Sequence, residues 1–232
     1  EDNFAALASD LGLPTNQTIP WNIEKKNFYE KFFKNILRPH EDMGIDFWWL
    51  DWQQWMIARN EPNLGNTFWL NHVFFNDMKL QGKARPMIFH RWGGLGNHRY
   101  QIGFSGDSFT TFPSLAFQPY FTATASNVGY GYWSHDIGGH QQPGVNNPEL
   151  YLRWIQYGVF SPILRTHATN ASNIERRIWK YENFPSMRKA IELRYALIPY
   201  IYTYARHAYD TGVSLCRPLY YDYPELDGAY NF

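Results

Sequence analysis

The chain has a single cysteine, Cys216, among 232 residues, which excludes an intrachain disulfide and a thiolate metal cluster. Acidic and basic residues balance at 21 each, so charge gives no argument for a nucleic-acid or anionic-membrane partner. No apolar run reaches the length of a membrane span, and the first residues lack a signal-peptide pattern. These absences leave the cellular compartment undecided.

Aromatic residues, by contrast, are abundant, with 10 Trp, 17 Tyr and 17 Phe in the chain. Such rings fill a large core, and they also bind the apolar faces of sugars while polar groups contact the hydroxyls. A large core could use most of these rings, so the composition is compatible with a sugar ligand without establishing one.

Short apolar runs alternate with helical patterns along the chain. A continuous apolar run rich in aromatic and β-branched residues is typical of a strand buried on both faces. Strands are predicted at residues 45–50, 86–89, 101–104, 129–133 and 161–164. Helices are predicted from a cap at Asn22 to about Arg38, at 67–81, 113–126 and 148–157, and at 186–209 with a kink at Pro199, whereas residues 1–21 are predicted to form a loop.

Strands that alternate with helices predict right-handed βαβ units and a parallel sheet. A complete (β/α)8 barrel takes about 250 residues, so this chain has room for about five units and their loops. Two α/β architectures stay open at this point: a partial (β/α)8 TIM barrel and an open doubly wound sheet. We expect one domain over residues 1–232, and the start at Glu1 without a methionine indicates a piece of a longer protein.

An ionisable residue follows each predicted strand on its C-terminal side, namely Asp51, Arg91, Asp107, Asp136 and His167. In both parallel architectures this is the side where ligands bind. A carboxylate at the end of a buried strand costs desolvation energy, so Asp51, with tryptophans on both sides, favours a functional role. Asp136 precedes Ile-Gly-Gly, and loop capping explains it equally well.

Two carboxylates with an arginine and a histidine suit acid/base and covalent chemistry at an acetal. One carboxylate attacks the anomeric carbon or stabilises its positive charge, and the other protonates the leaving oxygen. A metal site at His135, Asp136 and His140 is a weaker alternative, because the two histidines are not an i, i+4 helical pair. The glycines from Gly93 onward lack the residues of a phosphate-binding loop.

The strand ends resemble those of the catalytic barrel of glycoside hydrolase family 31, the α-glucosidase and α-xylosidase family. The resemblance runs in order through most of the chain. It is carried by Phe47–Asp51, by Arg91 ahead of Phe104–Asp107, by Tyr132–Gly139, by Arg153–Pro162 with Arg165–His167, and by Leu193–Tyr200 with Arg217–Leu219.

The resemblance implies a retaining, exo-acting α-glycoside hydrolase with neither cofactor nor metal. Asp51 would form the covalent glycosyl-enzyme, and Asp107 would act first as acid and then as base. Retaining chemistry places two such carboxyl groups about 5–5.5 Å apart. The substrate-binding residues implied by the resemblance are Arg91, Asp136, His167, Trp49, Trp48, Phe104, Trp133 and His140.

The chain departs from the common family pattern at three places that border the sugar site, Trp52–Gln54, Phe104 and His140. Substrate choice is therefore open to a dextran-cleaving, hexosaminidase or transglycosylating variant, and a catalytically silent carbohydrate-binding protein is the alternative from another class. The family's N-terminal sandwich, early barrel strands and C-terminal domains have no counterpart here. We expect missing parts of the same polypeptide to be partners, and the isolated piece to be inactive and poorly stable.

Overall fold

The computed structural model describes residues 2–52, 55–83, 85–91, 94–141, 146–171 and 173–231. The chain divides into two compact units, Glu1–Tyr100 and Gln101–Phe232. Within the described residues, no helix combines the length and apolar character needed to cross a membrane. The expectation of a single domain stays a prediction.

The first unit contains helices, two parallel strands and a hairpin. Its helices are α1 (Asp2–Leu11), α2 (Lys26–Phe32), α3 (Arg38–Asp42) and α4 (Asn66–Leu80), with a π-helical turn at Phe33–Leu37 between α2 and α3. Its strands are β1 (Trp48–Leu50), β2 (Ile57–Ala58), β3 (Glu61–Gly65) and β4 (Ile88–Arg91). The strands β2 and β3 form an antiparallel hairpin that the sequence pattern did not predict.

Strands β1 and β4 pair in parallel, with Trp49 opposite Phe89 and Leu50 opposite His90. Since side chains alternate along a strand, Leu50 and Ile88 face the helices, where both are buried. The core of this unit joins that strand face to α2, the π-helical turn and α4. It is formed chiefly by Phe28, Phe33, Leu37, Leu50, Leu70, Phe74, Met78 and Ile88.

The second unit continues the alternation of strands and helices. Its elements are β5 (Ile102–Phe104), α5 (Phe112–Ala125), β6 (Tyr132–Ser134), α6 (Pro148–Gly158), α7 (Phe184–Ala196) and α8 (Ile198–Thr211). Strands β5 and β6 are parallel, with Phe104 opposite Ser134. The predicted strand at 161–164 is reduced to a single parallel bridge between Ile163 and Ser134.

Helix ends in this unit follow ordinary capping chemistry. The hydroxyl of Thr111 accepts a hydrogen bond from the backbone N–H of Ser114 at 3.2 Å, and α5 begins there. The side chain of Asn147 accepts from the N–H of Leu150 at 3.0 Å, and Pro148 occupies the first turn of α6. Trp154 and Ile155 of α6 are buried in one cluster with Met187 of α7.

Three predictions about helices are wrong. Residues 2–11 are helical, because α1 buries Leu7 and Ala8. The helix predicted to be capped by Asn22 begins instead at Lys26, and it does not stop before Pro39. Pro39 comes directly after the π-helical turn, and the helical backbone continues through it to Asp42.

The long helix predicted over 186–209 is interrupted once, so that it consists of α7 and α8. The interruption is the single residue Leu197, whose φ of −82° and ψ of −6° stay in the right-handed helical region, and Pro199 lies in the first turn of α8. The interruption falls just before Pro199, where a proline in a helical stretch is expected to disturb it.

Candidate active site

The C-terminal ends of β1 and β4 bring Asp51 and Arg91 together. The Nε of Arg91 donates to Oδ1 of Asp51 at 2.6 Å, and the backbone N–H of Trp52 donates to the same oxygen at 2.8 Å. The Asp51 side chain is 27% exposed and that of Arg91 is 12% exposed. Two charge-assisted hydrogen bonds therefore orient a carboxylate that still reaches solvent.

The face of β1 that carries Asp51 also carries Trp49. The Trp49 ring lies 5.3 Å from that of Phe89, and the residue is 44% exposed. Trp48 points to the other face, where its indole N–H donates to Glu41 at 2.8 Å and its ring packs against the core. Trp49 is thus placed to present an aromatic surface beside Asp51, whereas the contacts of Trp48 are structural, and its contact with substrate stays a prediction.

In the second unit, Asp107 follows β5 and lies beside two residues that follow β6. The amide Nε2 of Gln141 donates to Oδ2 of Asp107 at 3.2 Å. The Nε2 of His140 lies 3.9 Å from Oδ1 of Asp107. The Asp107 side chain is 32% exposed, so this carboxyl group is also accessible to a ligand.

Asp136 is almost completely buried and forms an ion pair with Arg165. Its backbone N–H donates to the hydroxyl of Ser105 at 3.2 Å. The Arg165 guanidinium also lies over the ring of buried Phe104, with its carbon 5.5 Å from the ring centroid. A buried carboxylate is costly without a cation, and Arg165 supplies that cation to Asp136.

Two histidines complete this cluster. The rings of His140 and His167 stack with centroids 5.0 Å apart, and Nδ1 of His140 lies 4.0 Å from Oδ2 of Asp136. Ligand-type atoms of Asp136, His140 and His167 all lie within 4.8 Å of one another. A cation at this point would compete with Arg165 for Asp136, so the donor set suits neutral, hydroxyl-bearing ligands better than a resident metal.

The loop that carries these residues is held by a half-buried arginine, Arg176. Arg176 donates from Nη2 to the carbonyl oxygens of Gly138 and Gly139, each at 2.8 Å, and from Nε to the carbonyl oxygen of His167 at 2.9 Å. Burial lowers the pKa of Arg176 from its usual value. Arg176 thereby ties the segment after β6 to the segment that carries His167.

His135 lies on the opposite face of β6 from Asp136 and is fully buried. Its Nδ1 lies 2.9 Å from Oε1 of Gln118, and its Nε2 lies 2.9 Å from the hydroxyls of Thr122 and Tyr157. Gln118 uses its own N–H₂ on the carbonyl of Ser114, so Nδ1 of His135 carries the proton and Nε2 accepts. Burial lowers the pKa of His135 to about 3, which keeps the ring neutral.

Trp133, another predicted substrate-binding residue, is buried. Trp133 shares the helix-facing side of β6 with His135, and its ring lies 4.9 Å from that of Phe121. Gly103 opposes it, and a Cβ at Gly103 would lie 2.8 Å from the Trp133 ring. Trp133 therefore packs against α5, and its predicted role in substrate binding stays a prediction.

The sequence pattern did not predict that this cluster also contains Arg165, Arg176 and Gln141. Arg165 had a usable signal, because it lies two residues before His167 on an extended segment and so shares its face. Arg176 and Gln141 lie in loops, where spacing carries no such signal. The departure at Trp52–Gln54 falls partly on residues 53 and 54, which lie outside the described residues.

Known proteins resemble this chain over most of its length. A family model described as the glycosyl hydrolases family 31 TIM-barrel domain matches residues 15–204. A probable glucan 1,3-α-glucosidase of Oryza sativa subsp. japonica is 35% identical over 153 residues, covering 65% of this chain and 16% of that protein. An α-xylosidase of Emericella nidulans is 27% identical over 210 residues, covering 82% of this chain and 26% of that protein.

Solved structures agree with the sequence comparison. A family 31 dextranase of Flavobacterium johnsoniae, complexed with glucose, aligns with a TM-score of 0.77 at 26% identity, covering 100% of this chain and 33% of that one. The chain thus spans between 16% and 33% of the lengths of these relatives. Of the two architectures left open by the sequence pattern, the barrel is confirmed. Because the family model matches well over half of the residues, the chain belongs to glycosyl hydrolase family 31 and is part of its TIM-barrel domain.

Proposed function

We propose that the polypeptide containing this chain is a retaining, exo-acting α-glycoside hydrolase whose substrates are α-glucosides or related α-linked sugars. The observation that carries the proposal is the Asp51 carboxylate, which Arg91 and the N–H of Trp52 hold in one orientation at a strand end. An oriented, ionised carboxylate beside an exposed tryptophan suits attack on a sugar carbon. Membership of the family supports the same reaction class.

In the first step, Asp107 in its acid form gives its proton to the glycosidic oxygen. The bond between that oxygen and the anomeric carbon breaks, and an oxygen of the Asp51 carboxylate bonds to the same carbon. The leaving group departs as a neutral alcohol, Asp107 becomes a carboxylate, and the sugar is held as an ester. Arg91 keeps the Asp51 carboxylate oriented for this attack.

In the second step, the Asp107 carboxylate removes a proton from water. The water oxygen bonds to the anomeric carbon, and the ester bond to Asp51 breaks. Asp107 is again an acid and Asp51 again a carboxylate, so both groups are restored. Each step inverts the anomeric carbon, so the product keeps the α configuration, and the reaction uses no cofactor.

The remaining polar cluster is proposed to hold hydroxyl groups of the sugar. Buried Asp136, oriented by Arg165, supplies carboxylate oxygens as acceptors, and His167 supplies a ring nitrogen. Trp49 would stack on an apolar face of the sugar. Further segments of the same polypeptide are proposed to complete the pocket, because the chain spans a minor part of its relatives.

The test compares hydrolysis of α-glucosides and α-xylosides by the complete polypeptide and by its Asp51→Ala variant. A matched control is Asp46→Ala, which removes an exposed carboxylate just before β1. We expect Asp51→Ala to lose at least about 1,000-fold in kcat and Asp46→Ala to retain wild-type rates. Equal rates for wild type and Asp51→Ala would overturn the assignment.

Two other outcomes identify the alternative functions. Sugar binding by the wild type without turnover of any α-glycoside would favour a silent carbohydrate-binding protein. Products longer than the substrate would favour transfer to a sugar acceptor over transfer to water, with the same role for Asp51.

A further inference from the structure

The two residues after Gly139 are joined to the loop that carries Asp107 by backbone hydrogen bonds. The N–H groups of His140 and Gln141 both donate to the carbonyl oxygen of Ser108, at 2.6 Å and 3.0 Å. The N–H of Thr110 donates back to the carbonyl oxygen of Gln141 at 3.0 Å. Two segments that lie about thirty residues apart in the sequence therefore behave locally as one paired unit.

Any side chain at the two glycines before this pairing would be strained. Gly138 and Gly139 have φ of 106° and 81°, in the region that favours glycine. A Cβ on Gly139 would lie 2.6 Å from Cα of Thr110, and a Cβ on Gly138 would overlap the Arg176 side chain. The close approach of the two backbones thus fixes where the side chains of His140 and Gln141 point.

Those two side chains contact different oxygens of the Asp107 carboxyl group. Gln141 donates to Oδ2 at 3.2 Å, and His140 lies 3.9 Å from Oδ1. In a protonated carboxyl group the carbonyl oxygen is the better acceptor of an N–H bond, whereas the hydroxyl oxygen carries the proton. A donor on Oδ2 therefore favours the acid form in which Oδ1 bears the proton.

We propose that Gln141 is a positioning residue that selects Oδ1 of Asp107 as the oxygen that delivers the proton, with His140 bordering that oxygen. The role of Gln141 rests on the proposed function, because it requires Asp107 to be the acid/base. It adds a residue that the sequence resemblance did not mark, and it predicts a defect confined to substrates that need a proton on the leaving group.

The experiment measures kcat/KM of the complete polypeptide on two substrates that differ in their need for acid catalysis. Methyl α-glucoside has a poor leaving group and needs the proton, whereas α-glucosyl fluoride leaves with little assistance. For Gln141→Leu we expect a loss of about 10-fold or more on methyl α-glucoside and less than about 2-fold on the fluoride. Wild-type turnover of the fluoride also shows that the variant is folded.

A matched control is Gln81→Leu, which removes another hydrogen bond from a glutamine to an aspartate, here from Gln81 to Asp77 at 2.8 Å at the end of α4. It should leave both rates unchanged. Gln141→Glu keeps the size of the side chain but replaces the donor by an acceptor. It should show the same selective loss, and it serves where Gln141→Leu does not fold.

Asp107→Ala separates the possible failures. If Asp107→Ala loses activity equally on both substrates, the proposed function fails, because Asp107 is then not the acid/base. If Asp107→Ala is selective but both Gln141 variants lose equally on the two substrates, or lose nothing, the positioning role of Gln141 is overturned while the function stands.

Discussion

The buried, neutral His135 should make the stability of this fold depend on pH. An unfolded histidine has a pKa of 6.5, whereas burial lowers the pKa of folded His135 to about 3. Below about pH 6.5 the unfolded chain binds a proton that the folded chain does not, so stability falls as the pH falls. The loss stops only near the folded pKa, where His135 itself takes up the proton.

The magnitude follows from 1.36 kcal/mol per pH unit. Between about pH 7 and about pH 5, the free energy of unfolding should fall by about 2 kcal/mol through His135 alone. His135→Gln retains hydrogen-bonding groups but does not titrate. It should cost about 1–3 kcal/mol at pH 7 and then lose about 2 kcal/mol less than wild type on acidification.

The assay is urea unfolding of the wild type and of His135→Gln at several pH values between about pH 7 and about pH 5. Carboxylates whose pKa is lowered by ion pairs, such as Glu175 beside Arg177, also destabilise the fold in acid, but they do so equally in both proteins and cancel in the difference. Parallel curves of unfolding free energy against pH for wild type and His135→Gln would refute the reasoning, because they would show that folded His135 binds its proton normally.

Two further predictions concern residues that hold the carboxylates in place. Arg91→Met should lower kcat/KM on an α-glucoside by about 100-fold, because Asp51 loses the 2.6 Å contact that orients it. Steady-state kinetics would check this on a variant that circular dichroism shows to be folded. Wild-type kinetics for this variant would contradict the role given to Arg91. Gly139→Ala should destabilise the fold by at least about 2 kcal/mol, because alanine is strained at positive φ and its Cβ would overlap Thr110. A thermal midpoint equal to that of wild type would show that the two backbones are not packed so closely.

Much of the strand arrangement is predictable from the sequence. The apolar runs that end in Asp51 and Arg91 give two strands, and parallel pairing in register then places the two ionisable residues side by side on one face. The helix predicted at 67–81 likewise forms, and its residues Leu70, Phe74 and Met78, which recur at helical spacing, are buried. Periodicity succeeds here because burial on one face repeats along the element.

Contacts made by loops are not predictable in this way. Gln141 reaches Asp107 because glycines at positive φ turn the chain after β6, and no periodicity encodes that turn. Arg176 crosses from another loop to the carbonyl groups of Gly138 and Gly139, a contact that depends on tertiary folding alone. The helix end predicted near Arg38 is wrong, because a proline tolerated early in a helical segment need not stop it, as at Pro39.

Trapping the glycosyl-enzyme tests the central claim most directly. A fluorinated α-glucosyl or α-xylosyl fluoride that the complete polypeptide accepts should leave a sugar ester that hydrolyses slowly, and protein digestion with mass spectrometry then locates it. The assignment of Asp51 as nucleophile predicts the sugar on the peptide that contains Asp51, with no adduct in Asp51→Ala. A sugar attached to any other residue, or turnover without a covalent adduct, would contradict it.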